Sequence, residues 1–456
     1  MATASGNDAS MDDAARAGRI AAAELTSRDV HAVALTWVDN AGVTRVKTVP
    51  VHRLAHAAGW GVGMSPVFDV FLVDDSVTTS EHVGGPAGDL RLFPDLDRVT
   101  VLAAQPHWAW APADRRTQDG EPWPCCQRTL ARTAAARAAA LGLELRMAFE
   151  VEWYLATADG GPAATGPAYG MTRVVEVAAY LDDLFQALAA QDVPVEQIHP
   201  EYSPGQFEVS VAAADPVLAA DRTVLVRQTV RAVSQRHGLR VSFAPVVSAG
   251  QVGNGHHLHV SARRDGQALF SGGDRPHGLR PAGEAAMAGL LRRLPALAAL
   301  ASPGVASRLR LEPQRWAAPY RCWGHENREA ALRLVTGSPG ERDRAANVEV
   351  KCCDGAANPY LVVAAVTEIV AASCGHDLRL PAEVPGDPAL LPEDRRPERL
   401  PETAVAAVAA LRADDLLAGL LGPALLEAYC AVRLAEADRF AGATPQEIVE
   451  ATRWRY

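Results

Sequence analysis

The sequence predicts a mixed fold, α+β or α/β, in which a small strand-rich region precedes a larger domain. Short runs typical of strands dominate residues 30–105, whereas strand-like and helix-like runs interleave from residue 127 onward. The chain has 456 residues, which is beyond the length at which a single hydrophobic core usually divides. We therefore expect a flexible leader over residues 1–25, a β domain over 26–115 and a large domain over 116–456.

The expected β domain rests on three extended runs. HAVALTWVD and VTRVKTVPV lie on either side of the turn signal NAG, and LRLFPDLDRVTVLA follows them. The leader before them, MATASGNDASMDDAARAG, has no apolar run and no cleavage signal. We therefore expect no secretory peptide and no ordered structure there.

In the large domain, patterns typical of helices and strands follow one another along the chain. QRTLARTAAARAAALGL predicts a helix that ends at a glycine, and LRMAFEVEWYLA predicts a strand. The next predicted elements are a helix (TRVVEVAAYLDDLFQALAAQDV), a hairpin (EQIHPEYSPGQFEVSVA), a helix starting at Asp215 and Pro216, and the strands LRVSFAPVV and GHHLHVSARR. We expect further helices over 281–300, 357–373 and 403–437, and a Pro-rich loop over 375–402.

Composition and charge argue against several kinds of protein. The hydrophobic fraction is 48% and the charged fraction 21%, as in ordinary soluble domains. The net charge of −10 and the lack of a basic patch argue against nucleic acid as a partner. No apolar run of membrane-spanning length occurs, and the seven cysteines lack CxxC spacing. We expect buried thiols, a cytoplasmic location and no membrane partner.

Pairs of carboxylates are the first chemical signal. Glu150 and Glu152 of AFEVEWYL share one face of a predicted strand, because successive strand residues alternate between faces. Glu201 and Glu208 flank the turn SPGQ, so a hairpin would bring them together. Each pair alone is most often a solvated strand face.

Two further segments carry histidine, glutamate and lysine. In GNGHHLH, strand alternation places His257 and His259 on one face and His256 on the other. A cupin metal site would need a glutamate soon after the HxH pair, and VSARRDGQ has none. In NVEVK, Glu349 and Lys351 share a face.

Taken together, these segments predict a site for hard metal ions. Five strand-borne glutamates and one histidine suit Mg²⁺ or Mn²⁺ better than zinc or copper. Six such ligands serve two ions and leave positions for phosphate, as metal-assisted phosphoryl transfer requires. The counterpart is a set of arginines, which suit planar carboxylate and phosphate groups: Arg308, Arg310, Arg315, Arg328 and Arg333.

These segments resemble the type I glutamine synthetases over nearly the whole chain. The blocks that carry the resemblance are the ExE strand with Glu150 and Glu152, the hairpin with Glu201, Gln206 and Glu208, the segment Gly253 to His259, NREAALR from Asn327 to Arg333, VEVK with Glu349, ANPYL from Ala357 to Leu361, and the C-terminal WRY. The resemblance implies an α+β fold with an N-terminal β-grasp domain and a catalytic domain built on a curved antiparallel sheet with surrounding helices. It also implies a homo-oligomer, commonly a dodecamer of two stacked hexameric rings, with active sites between neighbouring subunits.

The resemblance further implies a role for each matching residue. One metal ion is expected at Glu152, Glu201 and Glu208, and another at Glu150, His257 and Glu349. The glutamate substrate is expected at Gly253, Arg310 and Lys351. ATP and the transferring phosphate are expected at His259, Ser261, Arg328 and Arg333. We expect two to three Mg²⁺ or Mn²⁺ ions per active site, with ATP as co-substrate.

The implied reaction has two steps. ATP phosphorylates the γ-carboxylate of glutamate, and an amine then attacks the γ-glutamyl phosphate and releases phosphate. Positioning and charge neutralisation supply most of the acceleration in such transfers. The catalytic residues expected from the resemblance are Arg310 and Arg328, with Trp316 in the amine pocket.

The sequence departs from ammonium-using enzymes at two places. Trp316 of RLEPQRWAAP stands where those enzymes carry a glutamate in a RLVPGYEAP-type segment, and GVGMS, near Val62, replaces an aspartate-bearing FDGSS-type loop. Loss of both carboxylates favours an amine that carries carbon, and a tryptophan offers an apolar or cation–π wall.

The departures resemble the γ-glutamylamide synthetases that act on ethanolamine, polyamines or small alkylamines. Ethanolamine is favoured, because a polyamine would be better served by further acidic residues near the pocket, and the sequence identifies none. The alternatives are a γ-glutamylpolyamine synthetase, a glutamine synthetase that uses ammonium, and a non-catalytic ring-forming homologue.

Overall fold

The computed structural model describes the backbone of residues 4–456 and the side chains of residues 11–456. Its N-terminal part is built on a six-stranded sheet with the order β2-β1-β6-β4-β3, in which β5 also pairs with β6. The strands of this sheet are β1 (Ala32–Val38), β2 (Thr44–Pro50), β3 (Val62–Met64), β4 (Leu90–Pro94), β5 (Thr100–Val101) and β6 (Trp108–Thr117). β1 and β6 run parallel, and the other pairs are antiparallel.

Two helices pack beside this sheet, α1 (Ala4–Ser27) and α2 (Leu54–Trp60). The flexible leader expected over residues 1–25 is therefore wrong for residues 4–25; residues 1–3 lie outside the described part. Alanine, the best helix former, recurs through the segment. Small residues also allow close packing, since a Cβ on Gly18 would lie 2.8 Å from the Cα of Ala55.

The larger part is built on a nine-stranded sheet with the order β13-β14-β15-β11-β7-β9-β8, to which β10 and β12 add at β7 and β11. Its strands are β7 (Leu143–Ala156), β8 (Val195–Pro200), β9 (Gln206–Val211), β10 (Arg240–Ser242), β11 (Leu258–Arg264), β12 (Gln267–Ala268), β13 (Tyr320–His325), β14 (Ala330–Val335) and β15 (Asn347–Val350). The expected antiparallel pairing holds except between β13 and β14, which run parallel. The α+β prediction is confirmed.

Helices surround this sheet. They are α3 (Gln127–Ala140), α4 (Met171–Glu176), α5 (Ala178–Ala190), α6 (Pro216–Arg236), α7 (Pro281–Ala301), α8 (Val305–Arg310), α9 (Arg342–Ala345), α10 (Pro359–Ser373), α11 (Ala404–Ala413), α12 (Asp415–Arg439) and α13 (Pro445–Thr452). The sequence signals for helix starts are confirmed at α6, where the Asp215 carboxylate accepts hydrogen bonds from the backbone N–H groups of Val217 and Leu218.

The longest strand, β7, separates the core from the functional face. Its odd-numbered residues from Leu143 to Leu155 are buried in the main core, which they share with α3, α6 and α10. Its even-numbered residues, including Glu150 and Glu152, point to the opposite face. The sheet therefore has one face covered by helices and one that carries carboxylates.

One helix of the described residues, α12, is long and apolar enough to cross a membrane by length and composition. It has a break at Gly422, whose φ is +68°, followed by Pro423. Its buried residues, among them Leu417, Leu421 and Leu425, belong to the main core. Packing in the core accounts for its apolar composition. All seven cysteines are buried and unpaired.

Candidate active site

A cavity of about 570 Å³ opens on the carboxylate face of the large sheet. Of the residues predicted to bind metal, substrate or phosphate, all but His259 and Ser261 line it, namely Glu150, Glu152, Glu201, Glu208, Gly253, His257, Arg310, Trp316, Arg328, Arg333, Glu349 and Lys351. Arg308, which was grouped with the site arginines, instead donates to the carbonyls of Ser302 and Pro401. Most of the acidic and imidazole groups come from five neighbouring strands, β15, β11, β7, β9 and β8. The sheet therefore brings together segments that are far apart in sequence.

Strand register builds one group of ligands, which we call the Glu208 cluster (Glu152, His199, Glu201 and Glu208). Glu208 on β9 lies opposite Glu152 on β7 and opposite His199 on β8. Glu201 follows directly after β8, and Tyr169 donates a hydrogen bond to its Oε2 at 2.7 Å. His199 Nε2 lies 3.2 Å from Glu208 Oε1, and His199 Nδ1 lies 3.6 Å from Glu201 Oε1.

Like charges dominate the Glu208 cluster. Burial, together with repulsion from Glu208 and Glu201, raises the pKa of Glu152 to about 7, although His257 opposes the shift. Burial also raises the pKa of Glu201, despite the hydrogen bond from Tyr169. A hydrogen bond with Glu208 raises the pKa of His199 to about 9. A cation at this position would relieve the repulsion among the three carboxylates.

A second group, the Glu349 cluster (Glu150, His257, His259 and Glu349), lies on β7, β11 and β15. His257 Nδ1 is 3.3 Å from Glu150 Oε2 and 3.2 Å from Glu349 Oε1. His259 Nε2 is 3.1 Å from Glu150 Oε1. His257 directly precedes β11, which begins only at Leu258, yet it faces the same carboxylates as His259. Among the described residues, His259 rather than the predicted ligand His257 belongs to the group of ligand atoms that lie within 4.8 Å of one another with Glu150 and Glu349.

The Glu349 cluster is better balanced in charge. Burial would raise the pKa of Glu150, but hydrogen bonds with His257 and His259 outweigh it and hold the pKa well below its usual value. Burial would also raise the pKa of Glu349, but the positive charge of Lys351 outweighs this effect and holds that pKa well below the usual range. Burial opposes the charge on His259, yet contact with Glu150 raises its pKa to about 9.

The donor set fits divalent cations. In each cluster one imidazole and two carboxylates offer ligand atoms that lie within 4.8 Å of one another: Glu150, His259 and Glu349, and His199, Glu201 and Glu208. Several oxygen donors with few nitrogens match Mg²⁺ or Mn²⁺. The crowding of carboxylates around Glu152 is an independent sign that this face is completed by positive charge.

Cationic side chains form the other wall of the cavity. Lys351 Nζ donates to Glu349 Oε1 at 3.0 Å, and Arg333 Nη1 donates to Glu349 Oε2 at 3.1 Å. Arg310 Nη2 lies 3.0 Å from His257 Nε2, while its buried Nη1 has no hydrogen-bond partner among the described residues. Arg328 is exposed and also lines the cavity. The wall thus presents donors suited to carboxylate and phosphate.

The glycines of GNGHHLH are required by close packing. A Cβ on Gly253 would collide with the carbonyl oxygen of Pro245 and lie 3.2 Å from Arg310 Cγ. A Cβ on Gly255 would lie 2.8 Å from Glu152 Oε1. Gln206 Nε2 ties the segment to the cluster by donating to Glu152 Oε2 at 2.7 Å and to the Gly253 carbonyl at 2.9 Å.

Three histidines of that segment have three different surroundings. His256 is buried against Phe243, where burial holds its pKa well below the usual value, as expected for a structural side chain. His257 lines the cavity, whereas His259 lines an adjoining cavity of about 650 Å³ that shares Glu150. Ser261, predicted to serve ATP, lines neither cavity; it follows on β11.

Trp316 stands at the mouth of the cavity beside a second aromatic ring. Its ring centroid is 5.1 Å from that of Tyr202, and the two side chains are 42% and 45% exposed. The Trp316 backbone N–H donates to Glu329 Oε1 at 2.8 Å. An acidic residue therefore contacts the backbone of Trp316, although it is not among the residues that line the cavity.

Sequence reasoning missed His199, Tyr169, Tyr202 and Glu329. His199 stands two residues before Glu201 on a predicted strand, so alternation was an available signal for it. Val62 lies on β3, which pairs with β4 in the N-terminal sheet, and it is not among the residues that line this cavity.

Comparisons with known proteins agree with this geometry. The sequence profile of the glutamine synthetase catalytic domain matches residues 124–451. The chain is 55% identical over 443 residues to the gamma-glutamylpolyamine synthetase GlnA3 of Streptomyces coelicolor, covering 95% of each chain. It is 27% identical over 435 residues to the glutamate–methylamine ligase of Methyloversatilis universalis, covering 88% of this chain and 92% of that relative. A crystal structure described as a novel glutamine synthase homolog has a TM-score of 0.85 and 33% identity, covering 94% of this chain and 99% of that one.

Proposed function

The chain belongs to the glutamine synthetase family, and we propose that it is an ATP-dependent ligase that joins the γ-carboxylate of glutamate to a primary amine. The observation that carries the proposal is one cavity in which two carboxylate clusters face a wall of arginine and lysine. The profile match and the relatives named for glutamate–amine ligation support it. The family uses ATP and divalent metal ions, and we propose two to three Mg²⁺ or Mn²⁺ ions here.

The residues of this chain divide the work of the reaction. Bound divalent ions would neutralise the phosphate oxygens of ATP. Arg310, with its unpartnered Nη1 among the described residues, and Lys351 hold the glutamate carboxylates. Arg328 and Arg333 donate hydrogen bonds to the oxygens of the phosphoryl group during its transfer, a role for which paired N–H donors are suited. Glu349 keeps Lys351 and Arg333 in place.

Each step balances in atoms and charge. An oxygen of the glutamate γ-carboxylate attacks the γ-phosphorus of ATP, and ADP leaves. The neutral amine nitrogen then attacks the carbonyl carbon of γ-glutamyl phosphate, the C–O bond to phosphate breaks, and the departing phosphate takes the proton that the nitrogen loses.

For the amine, we propose a polyamine in preference to ethanolamine. The relative that is 55% identical carries the name of a polyamine enzyme. Exposed Trp316 and Tyr202 offer aromatic faces to an alkylammonium chain. Ethanolamine and other small amines are the second choice.

Two other functions from the same fold are disfavoured by specific residues. A glutamine synthetase that uses ammonium would be expected to carry a carboxylate at position 316, where this chain has tryptophan. A non-catalytic homologue would have no physical reason to keep like charges crowded around Glu152. A homo-oligomeric ring, commonly a dodecamer, and a cytoplasmic location follow from the family resemblance and are part of the same proposal.

The test is release of phosphate from ATP and glutamate across a panel of amines: ammonium, ethanolamine, methylamine, isopropylamine, putrescine and spermine. We expect spermine or putrescine to give the highest kcat/KM and mass spectrometry to find the γ-glutamylamide. Preference for ammonium would contradict the amine assignment, and no amine-dependent phosphate release at all would contradict the ligase assignment.

A variant of Trp316 tests the amine wall directly. Trp316→Glu should shift preference toward ammonium, because it restores a carboxylate and removes an aromatic face. A cation–π contact of about 0.5–2 kcal/mol corresponds to a polyamine KM about 2- to 30-fold higher. Glu312→Gln is the control, because Glu312 is an exposed residue of the same loop and is not among the residues that line the cavity. An unchanged amine profile in Trp316→Glu would show that selectivity is set elsewhere.

A further inference from the structure

We propose that Glu329 is a positioning residue for amine selection: its carboxylate holds the loop 312–318 in the one conformation that presents Trp316 at the cavity mouth. The inference rests on the proposed glutamate–amine ligase function. It goes further by naming the residue through which Trp316 acts.

The loop 312–318 has an unusual backbone. Gln314, Trp316 and Ala318 all have positive φ, at 60°, 54° and 56°. Residues other than glycine rarely adopt this left-handed conformation, and bulky ones least often. Three such residues within five positions persist only if contacts around them impose the conformation. The loop therefore needs external support.

Three contacts give that support. Gln314 Nε2 donates to Asp387 Oδ2 at 3.0 Å, and Arg315 Nη1 donates to the Gly250 carbonyl at 2.8 Å. The contact to Trp316 itself comes from Glu329 Oε1, which accepts its backbone N–H at 2.8 Å. Glu329 therefore acts at the residue whose side chain faces the amine.

Glu329 is itself held firmly. Its backbone N–H donates to Asn327 Oδ1 at 2.9 Å, and Asn327 Nδ2 donates to the carbonyls of Val384 and Gly386 at 2.7 and 2.9 Å. Its side chain is half-buried, and Oε2 is inaccessible and has no hydrogen-bond partner among the described residues. Burial raises the pKa of Glu329, and the backbone N–H groups of Trp316 and Gln314, both on the loop, act against that shift. A glutamate at this position is best explained by what its other oxygen does for Trp316.

The consequence is specific to the amine. In this loop conformation the ring of Trp316 lies beside that of Tyr202. Arg310, Lys351 and the two clusters belong to helix α8, strand ends and other segments. Loosening the loop should therefore raise the KM for the amine and leave the KM values for glutamate and ATP unchanged.

Two substitutions of Glu329 separate the effect of side-chain length from the effect of charge. Glu329→Gln keeps an acceptor oxygen at the same distance but loses the charge, whereas Glu329→Asp keeps the charge but is one methylene too short. We expect Glu329→Asp and Glu329→Ala to raise the polyamine KM about 10-fold, in the range by which misplacement alone affects enzymes. Glu329→Gln should stay within about 2-fold of the wild type, as should Glu312→Ala, a control that removes an exposed carboxylate from the same loop.

A second readout does not depend on activity. Hydrogen–deuterium exchange in the peptide that contains Trp316 should stay slow in the wild type and Glu329→Gln and become faster in Glu329→Asp and Glu329→Ala. Equal exchange in all four proteins would overturn the inference, as would a polyamine KM that rises in Glu329→Gln but not in Glu329→Asp. Absence of amine-dependent activity in the wild type would refute the proposed function alone, because the exchange rates still judge the role of Glu329.

Discussion

The two faces of β7 are formed by alternate residues of one strand and have different roles: one packs in the core and the other lines the cavity. Phe149, Val151 and Trp153 are buried in the main core under helices. Glu150 and Glu152, between them, face a cavity that holds further carboxylates. Each apolar side chain gains stability by leaving water, whereas Glu152 is held where burial and like charges oppose its ionisation.

The difference shows where stability and function are separated in this fold. Side chains on the apolar face contribute to folding whether or not a ligand is present. In the Glu208 cluster, burial and like charges raise the pKa values of Glu152 and Glu201, and a bound cation would favour their charged forms. Substitutions on the apolar face should therefore lower stability. Substitutions on the carboxylate face should lower activity without lowering stability.

The largest expected effect is on activity and comes from Glu152→Gln. We expect amine-dependent phosphate release to fall by about 100-fold or more, beyond the 10- to 100-fold typical of residues one step removed from a metal ion. The matched control is Glu144→Gln, because Glu144 lies on the same face of β7 but is exposed and lines neither site cavity. Full activity in Glu152→Gln would contradict the claim that the carboxylate face of β7 is required for catalysis.

A large effect on stability is expected from Phe149→Ala. Removing this buried ring should lower the free energy of unfolding by about 3–5 kcal/mol, measured by urea denaturation without metal ions. Glu144→Ala on the opposite face should change it by no more than about 0.5 kcal/mol. Equal losses in the two variants would mean that β7 does not divide stability from function.

A smaller and opposite effect is expected for the stability of metal-free Glu152→Gln. At pH 8 the substitution removes one of three crowded carboxylates, so Tm should rise by about 2 °C, as a gain of about 1 kcal/mol gives in a large domain. The wild type should overtake the variant once Mg²⁺ and ATP are added, because ligands that bind the folded state stabilise it. A lower Tm in the metal-free variant would argue that Glu152 is structural.

Local patterns predicted one part of this site and long-range pairing determined the rest. Strand alternation was sufficient to place Glu150 and Glu152 on one face of β7, because the period of a strand is a local property. His256 and His257 have different surroundings, as predicted, but both precede β11, which begins at Leu258. His199 joins the carboxylates through the β8–β9 register. Glu329 reaches Trp316 across thirteen positions of sequence through a loop contact, for which no sequence period exists.

The leader illustrates a different limit. The segment MATASGNDASMDDAARAG lacks an apolar run, which favoured a flexible leader, but helix formation depends on alanine content and on the small residues that let α1 approach α2 closely. The HxH spacing did not predict the position of His259 in full. His259 was expected on the same face as His257, but it lines the neighbouring cavity.

The central claim is that the carboxylate face of the large sheet is a divalent-ion site, and titration calorimetry with Mn²⁺ tests it most directly. The wild type and Glu144→Gln should bind Mn²⁺ with the same stoichiometry of at least two ions per chain. Glu152→Gln should lose one of these sites or bind there at least about 10-fold more weakly. Identical Mn²⁺ binding by all three proteins, or no binding by the wild type, would contradict the claim.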